Sequence, residues 1–303
     1  MKNAIKVICF VLAVLIIGTA SGYVYFTWDV GEFETVDGSK AGTAIIVDYI
    51  GEKTDVVVPE RLRGKKIISI DQNAFKGTGI TSVVIPDTVT SIGVNAFQNC
   101  EKLVSVDMGQ SVKNIGEGAF SNCPELVDVK CSPVLNDLGT SVFGNDEKLK
   151  TVNLDGNPNL VIKDGIIYSS DMTKLVESLS SADLSNYVLP ETVVEINSFA
   201  FYNQKELTSI NLNKGIKTIP QGAFINCKKL REVTLPDTVV SIGTAVFTGS
   251  AVTNVKIPAS VKSINKDAFF NMEEQITITT TKGSDAERFA KRNEMKLEIV
   301  DSF

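Results

Sequence analysis

The chain has 303 residues, a formal net charge of -6, 43% hydrophobic residues and no histidine. An acidic chain lacks the basic surface that neutralises phosphates, so nucleic acid is excluded as the expected partner. Without histidine, neither a Ser-His-Asp nor a Cys-His catalytic set can form, and histidine-containing zinc sites are excluded. The five cysteines include no CxxC pair. We therefore predict a protein that is not an enzyme and that holds no cofactor.

The first 28 residues have the pattern of a membrane anchor. Lys2 and Lys6 lie at the start, and residues 7–28 form an uncharged run of 22 residues. About 20 apolar residues span a bilayer, and basic flanks remain on the cytoplasmic side. Residues 1–28 are therefore predicted to be a cytoplasmic stub and a single transmembrane signal anchor, with the rest of the chain outside the membrane. The alternative is a secreted protein whose signal peptide is cleaved at Ala20-Ser21-Gly22.

Residues 29–69 are predicted to form a linker and an N-terminal cap. Phe33 to Val36 and Ala44 to Ile50 are predicted to be two short strands, separated by a loop that starts with the turn Asp37-Gly38. The open end of a stack of repeats exposes apolar surface and unpaired strand edges. A hairpin at this point would cover both.

A repeat of about 23 residues occupies residues 70–282, interrupted once. Its most regular member is a phenylalanine, and the gaps between successive copies are 22, 23, 23, 58, 23, 23 and 22 residues. The eight copies are Phe75, Phe97, Phe120, Phe143, Phe201, Phe224, Phe247 and Phe269. A unit of this length must stack on its neighbours to bury its apolar side, which predicts a solenoid.

The residue two positions after each phenylalanine is asparagine or glycine, as at Asn99 and Gly77. These two residue types tolerate a positive φ better than the others do. Each phenylalanine is therefore predicted to lie in a short helical turn that ends in a left-handed residue.

Each repeat is also predicted to carry one strand. The unit around Phe97 contains the apolar residues Leu103, Val106 and Met108, and the next unit has apolar residues at the three equivalent positions. The last two alternate with polar residues, which indicates a strand with one buried face. Parallel stacking would align the polar positions in two columns, the default binding surface of a curved solenoid. The candidate binding residues are Ser82, Val84, Ser105, Asp107, Asp128, Lys130, Thr151, Asn153, Ser209, Asn211, Glu232, Thr234, Asn254 and Lys256.

The gap of 58 residues is 12 residues longer than two periods of 23. A hairpin insertion is predicted near residues 161–187, with one strand at Ile166 to Tyr168 and the other at Leu175-Val176. The hairpin is either a binding element or a cover over the core, because loops often carry function and apolar hairpins usually pack.

Residues 283–303 are predicted to form a C-terminal cap. Ser284 and Glu287 have the spacing of a capping box, which starts a helix that ends near Asn293. A final strand is predicted from Lys296 to Val300.

The pattern Ile-x-x-x-Ala-Phe-x-Asn-Cys-x-x-Leu-x-x-Val-x-Leu-Pro is complete from Ile219 to Pro236. It resembles the BspA-like leucine-rich repeat family, and the resemblance covers residues 32–303. It implies an α+β repeat solenoid with short parallel strands, short helical returns, an N-terminal hairpin cap and a C-terminal helix-strand cap, here joined to one transmembrane helix. It also implies a bacterial surface protein that binds host matrix proteins, other cells or glycan-bearing surfaces, without catalytic residues.

Two functions fit these features. The first is a membrane-anchored, extracytoplasmic protein of the bacterial cell membrane that mediates protein recognition or adhesion without catalysis, with a protein or a surface glycan as its ligand. The alternative is a cell-envelope scaffold or assembly factor that binds proteins of the same cell.

Cys100 and Cys123 occupy equivalent positions in neighbouring repeats. Stacking would bring them close, and a disulfide is open to them outside the cell, although stacked strands need not meet disulfide geometry. The resemblance implies free, inward-facing thiols at this position. Cys131 takes the strand position of Met108 and is predicted to lie in the core.

Overall fold

The structure is a computed structural model that describes residues 31–302, and it shows a β-solenoid of stacked coils. Each regular coil contributes a three-residue strand to a first side and a two-residue strand to a second side. Neighbouring coils pair in parallel and in register on both sides, as Ser105–Asp107 does with Asp128–Lys130 and Ser91–Ile92 with Asn114–Ile115. The predicted parallel strands are confirmed, and the second set of strands was not predicted.

The strands of the first side are Asp55–Val57, Ser82–Val84, Ser105–Asp107, Asp128–Lys130, Thr151–Asn153, Asn186–Val188, Ser209–Asn211, Glu232–Thr234, Asn254–Lys256, Thr277–Thr281 and Lys296–Val300. The strands of the second side are Thr43–Tyr49, Lys65–Ile70, Ser91–Ile92, Asn114–Ile115, Asp137–Leu138, Lys174–Ser178, Glu195–Ile196, Thr218–Ile219, Ser241–Ile242 and Ser263–Ile264. First-side pairing stops after Thr151–Asn153 and again after Ser209–Asn211, so the first side consists of three separate sheets.

The eight repeated phenylalanines form the centre of the core. All eight are among the largest fully buried side chains. Within each half of the chain their rings stack in sequence, with centroids 4.6 to 5.9 Å apart and interplanar angles of 5° to 19°. Offset stacking adds to the free energy of apolar burial, so this ladder of rings holds each coil on the next.

The returns between the two sides are turns and not the short helices that the sequence predicted. Within residues 31–302 the one α-helix is Asp285–Arg292. Around Phe97 the reason is visible, because Asn95 and Asn99 both have positive φ, 55° and 61°, and leave only three residues between them. The N–H of Phe97 donates to Ala119 O in the next coil at 2.7 Å. A helix would need that N–H for its own turn.

The left-handed residue two positions after each phenylalanine is confirmed in all eight coils, at Gly77, Asn99, Asn122, Asn145, Asn203, Asn226, Gly249 and Asn271. We expect Asn99→Ala to lower the free energy of unfolding by about 1–2 kcal/mol, since a Cβ-bearing residue other than Asn or Asp strains this conformation. Asn99→Gly should be close to neutral. Equilibrium urea unfolding measures both, and equal losses for the two variants would contradict the explanation.

Both ends of the stack are capped. The predicted N-terminal hairpin is present as Phe33–Asp37 paired antiparallel with Thr43–Tyr49, and the Tyr49 ring stacks on Phe75 at 5.1 Å. A second short hairpin, Arg61–Leu62 against Lys65–Ile70, follows it.

At the C-terminal end, the helix Asp285–Arg292 begins at Ser284, whose Oγ accepts the N–H of Glu287 at 3.0 Å, as the capping box predicted. Phe289 of this helix packs on the last ring of the ladder, Phe269, at 5.8 Å. The final strand Lys296–Val300 pairs with Thr277–Thr281.

The insertion is a three-stranded antiparallel meander, Leu160–Lys163, Ile166–Ser169 and Lys174–Ser178. The predicted hairpin is confirmed, with one strand more. Ile167 and Val176 belong to the core of the first half of the chain, whereas Ile166 and Leu175 belong to the core of the second half. The meander therefore packs between two cores and is a partition, which favours the packing role over a binding role for its apolar residues.

A buried carboxyl group completes this junction between the two cores. Glu177 is 2% exposed, and its two oxygens accept the N–H groups of Phe143 and Val142 at 2.9 and 3.0 Å. In a regular coil, such as that of Phe97, the equivalent N–H donates to a carbonyl of the next coil. Glu177 replaces that carbonyl at the place where the next regular coil is missing, because buried N–H groups need an acceptor.

Candidate functional site

The candidate binding surface is the outward face of the first side. The three-residue strands bury their middle residue, such as Val106 or Val129, except that Tyr187 is half-buried, and they direct the two flanking residues outward. Residue-for-residue pairing then aligns the flanking residues of successive coils. All fourteen candidate residues lie on this face and are exposed or half-buried. Their function in binding stays a prediction.

The same face includes positions that the sequence analysis missed. Asp55 precedes Ser82 in its column, and Asn186 precedes Ser209. Thr277 and Lys296 continue the column beyond Asn254. Asp55, Asn186 and Lys296 belong to the caps or to the insertion, where no phenylalanine of the repeat precedes them at the regular spacing. Thr277 follows Phe269 by eight residues, as Ser105 follows Phe97, so its position was readable from the repeat.

Several candidate side chains already bind one another. Lys130 Nζ lies 2.9 Å from Asp107 Oδ2, and Lys256 Nζ lies 2.5 Å from Glu232 Oε1. Asn254 Nδ2 donates to the hydroxyl of Thr279 at 3.0 Å. Exposed ion pairs of this kind contribute about 0–1 kcal/mol each to stability, so they chiefly fix the side chains in place.

Three neighbouring side chains have no such partner. Ser105, Asp128 and Thr151 are paired positions of one column, and among the described residues none of the three makes a side-chain hydrogen bond or ion pair. Their hydroxyl and carboxylate groups are therefore available to a ligand.

Two exposed valines border this trio. Val104 and Val127 immediately precede Ser105 and Asp128, are 44% and 47% exposed, and adjoin each other through a bond of 2.9 Å between Val127 N–H and Val104 O. We call Val104, Ser105, Val127, Asp128 and Thr151 the recognition face. Adjacent apolar and polar groups of this type are the composition of a protein interface.

The sequence analysis missed both valines because an isolated valine in a strand-rich repeat is usually a core residue. The alignment of the repeats nevertheless indicated that this position is exposed. The residue after the equivalent buried leucine is Lys150 and Arg231 in two other coils, and long charged side chains at that position mark it as exposed.

The described residues were compared with the requirements of metal binding and of thiol chemistry. Within residues 31–302, no group of three or more His, Cys, Asp or Glu side chains is placed to hold a metal ion. Cys100, Cys123, Cys131 and Cys227 are all buried and free, and burial raises the pKa of the Cys131 and Cys227 thiols to about 12. Such thiols are protonated at neutral pH and are poor nucleophiles.

The membrane prediction concerns residues that the structure does not describe. From residue 31 to residue 302, no helix combines the length and the apolar composition that crossing a membrane requires. The predicted anchor at residues 7–28 lies outside this range, and so does the alternative cleavage site. Anchoring, cleavage and the predicted domain boundaries stay predictions.

Comparison with known proteins agrees with this architecture. A family profile described as "BspA type Leucine rich repeat region" matches residues 68–187 and 177–288, with six copies. The crystal structure of the pneumococcal vaccine antigen PcpA is similar, with a TM-score of 0.61 and 22% identity over 78% of this chain and 72% of that one. A leucine-rich repeat protein from Eubacterium ventriosum ATCC 27560 is similar with a TM-score of 0.56 and 21% identity, over 74% of this chain and 80% of that one. No curated protein matches the chain.

Proposed function

Because the chain belongs to the BspA type leucine-rich repeat family, we propose that it is a non-catalytic recognition protein of the bacterial cell surface that binds a protein partner through the recognition face. Residues 7–28 would anchor it in the cell membrane with the solenoid outside. The fold supports binding because a stack of rigid coils holds an extended face in fixed geometry without needing the ligand to order it.

The observation that carries the proposal is the trio Ser105, Asp128 and Thr151 beside Val104 and Val127. Elsewhere on the first side, ion pairs and side-chain hydrogen bonds such as that of Lys130 with Asp107 use many of the polar groups internally. Asn211 and Thr234 also lack such a partner among the described residues, but the trio lies on three consecutive strands paired in register. On the trio, the polar groups are free and lie next to exposed apolar surface. A partner can therefore bury the valines and supply hydrogen bonds to the trio without first breaking intramolecular contacts.

Photo-crosslinking in intact cells tests the recognition face. We expect a benzophenone side chain in place of Thr151, in the full chain, to give a discrete protein adduct. Adding Asp128→Lys should lower its yield at least about tenfold, because a reversed charge in a complementary interface costs several kcal/mol. The matched control places the same probe at Ser263, which is exposed on the second side. An adduct of equal yield from both positions, or one that persists with Asp128→Lys, would refute the assignment.

The same experiment separates the two functions. Adducts with host matrix proteins or with proteins of other cells support adhesion. Adducts with envelope proteins of the same cell support a scaffold or assembly factor, which is the second candidate. The mixed charge of the first side favours neither class of partner.

A further inference from the structure

A polar cleft of about 350 Å³ opens on the second side at the junction, between the strand Asp137–Leu138 and the meander. Asn136, Asp171, Lys174 and Asn197 also line it. Its volume lies at the lower end of the range of ligand sites, about 300–1,000 Å³. The cleft exists because the meander enters where the next regular coil would stack.

One wall of the cleft is a free strand edge. In a regular coil, Lys113 O accepts the N–H of Asn136 at 2.9 Å, and Ile115 O accepts that of Gly139 at 2.8 Å. The equivalent carbonyls one coil later are those of Asn136 and Leu138. Strand Asp137–Leu138 pairs only with Asn114–Ile115 among the described strands, so these two carbonyls receive no N–H from a following coil.

The N–H groups that would have reached the Asn136 carbonyl, those of Thr173 and Lys174, are used within the meander. Thr173 N–H donates to Asp171 Oδ1 at 3.0 Å, and Lys174 N–H donates to Ser169 Oγ at 2.9 Å. To pair with the edge, these two N–H groups would have to leave their present acceptors. Unpaired strand edges are templates for an added strand.

The lining is rich in acceptors and negative. Asp137 and Asp171 are carboxylates, and the lone cation among the lining residues, Lys174, lies 2.7 Å from Glu195. Among residues 31–302, the side-chain amides of Asn136 and Asn197 have no hydrogen-bond partner. A ligand for this cleft must supply donors and positive charge.

We propose that the polar cleft binds an extended peptide segment of a partner protein that carries a lysine or arginine, added as a strand to the free edge at Asp137–Leu138. The backbone N–H groups of the segment donate to the carbonyls of Asn136 and Leu138, as in other cases of strand addition. The cationic side chain lies beside Asp137 and Asp171. This site is on the opposite side of the solenoid from the recognition face and does not depend on it.

Fluorescence anisotropy with the purified full chain tests the strand addition. The probe is a fluorescein-labelled Lys-Thr-Val-Thr-Lys peptide with blocked termini. The same peptide, N-methylated at every residue, keeps its charge and loses its N–H donors. We expect it to bind at least about tenfold more weakly, since two net hydrogen bonds are lost. Equal binding of the two peptides would refute strand addition.

The charge requirement is tested in the same assay. A Glu-Thr-Val-Thr-Glu peptide and the Asp137→Lys variant should each weaken binding several-fold. Ser263→Lys is the control, because Ser263 is exposed on the second side in a coil far from the cleft; it should bind as the parent chain does. Failure of the lysine peptide to bind at about 1 mM, or binding of the disaccharide chitobiose in place of the peptide, would overturn the proposal. Neither result affects the crosslinks expected from Thr151.

Discussion

The Phe224→Ala variant is expected to unfold with a free energy about 3–5 kcal/mol lower than that of the parent chain. Phe224 is fully buried, and the rings of Phe201 and Phe247 stack on its two faces at 5.4 and 5.6 Å. Truncation removes both stacking contacts and leaves a cavity. The coils on either side cannot close it, because backbone bonds such as Phe224 N–H to Val246 O, 2.8 Å, hold the coils at fixed spacing.

Equilibrium urea unfolding, followed by circular dichroism, measures this loss. Phe270→Ala is the matched control, since Phe270 follows the ladder residue Phe269 directly and is 49% exposed. Its substitution should change the free energy of unfolding by no more than about 0.5 kcal/mol. Similar losses at Phe224 and Phe270 would show that the stack of rings does not hold the coils together.

Glu177→Ala is expected to lower the free energy of unfolding by about 2–5 kcal/mol, because it leaves the buried N–H groups of Val142 and Phe143 without acceptors. Since Glu177 lies between the two cores, we also expect the two halves of the chain to unfold in separate transitions. The control is Glu147→Ala, which removes an exposed ion pair with Lys205. That pair contributes about 0–1 kcal/mol. If Glu177→Ala unfolds in a single transition with the same free energy of unfolding as the parent chain, this role is contradicted.

The protonation of Glu177 gives a second measurement of the same prediction. Burial raises the pKa of the Glu177 carboxyl to about 8, from its ordinary value of 4.5. The folded state therefore holds a proton that the unfolded state releases between these two values. Stability is greatest below the unfolded pKa and falls as pH rises through this window, by up to about 1.4 kcal/mol per pH unit. Asp146, whose pKa is also raised by burial, acts in the same direction.

Glu177→Gln should flatten this dependence while retaining one acceptor for the two N–H groups. Asp146 still contributes a slope of the same sign, and Asp146→Asn combined with Glu177→Gln should reduce the pH dependence further. Thermal unfolding measured from pH 4.5 to 8 checks both variants. A parent chain whose stability rises steadily across this window would contradict the assignment.

Much of the fold follows from residues that repeat. The regular spacing of Phe97 and its equivalents predicted which residues form the core, and the asparagines after them predicted the left-handed turns. The alternation of apolar and polar residues around Val106 predicted the first-side strands. These features could be predicted from the sequence because each depends on one residue type at a fixed position within a coil. The same residue type recurs at that position in eight coils, which makes the preference recognisable. The fourteen candidate residues were located on the exposed face for the same reason.

Other features were not readable because they depend on contacts between coils. The returns are turns because N–H groups such as that of Phe97 donate to the next coil, and the local sequence favours a helix equally well. The polar residues Asp107 and Asp128 look alike in the sequence. Only the neighbouring coil shows that Asp107 is paired with Lys130 and that Asp128 has no partner within residues 31–302.

The sequence by itself determined that this chain is a stack of coils and which residues face its core, because burial follows the period of the backbone. Only the tertiary structure decided which polar groups are free and what the insertion does. Glu177 and the free edge at Asp137–Leu138 acquire their roles from segments about 35 residues away in the chain, namely the coil of Phe143 and the meander. Such pairings between distant segments are set by packing, which no local pattern encodes.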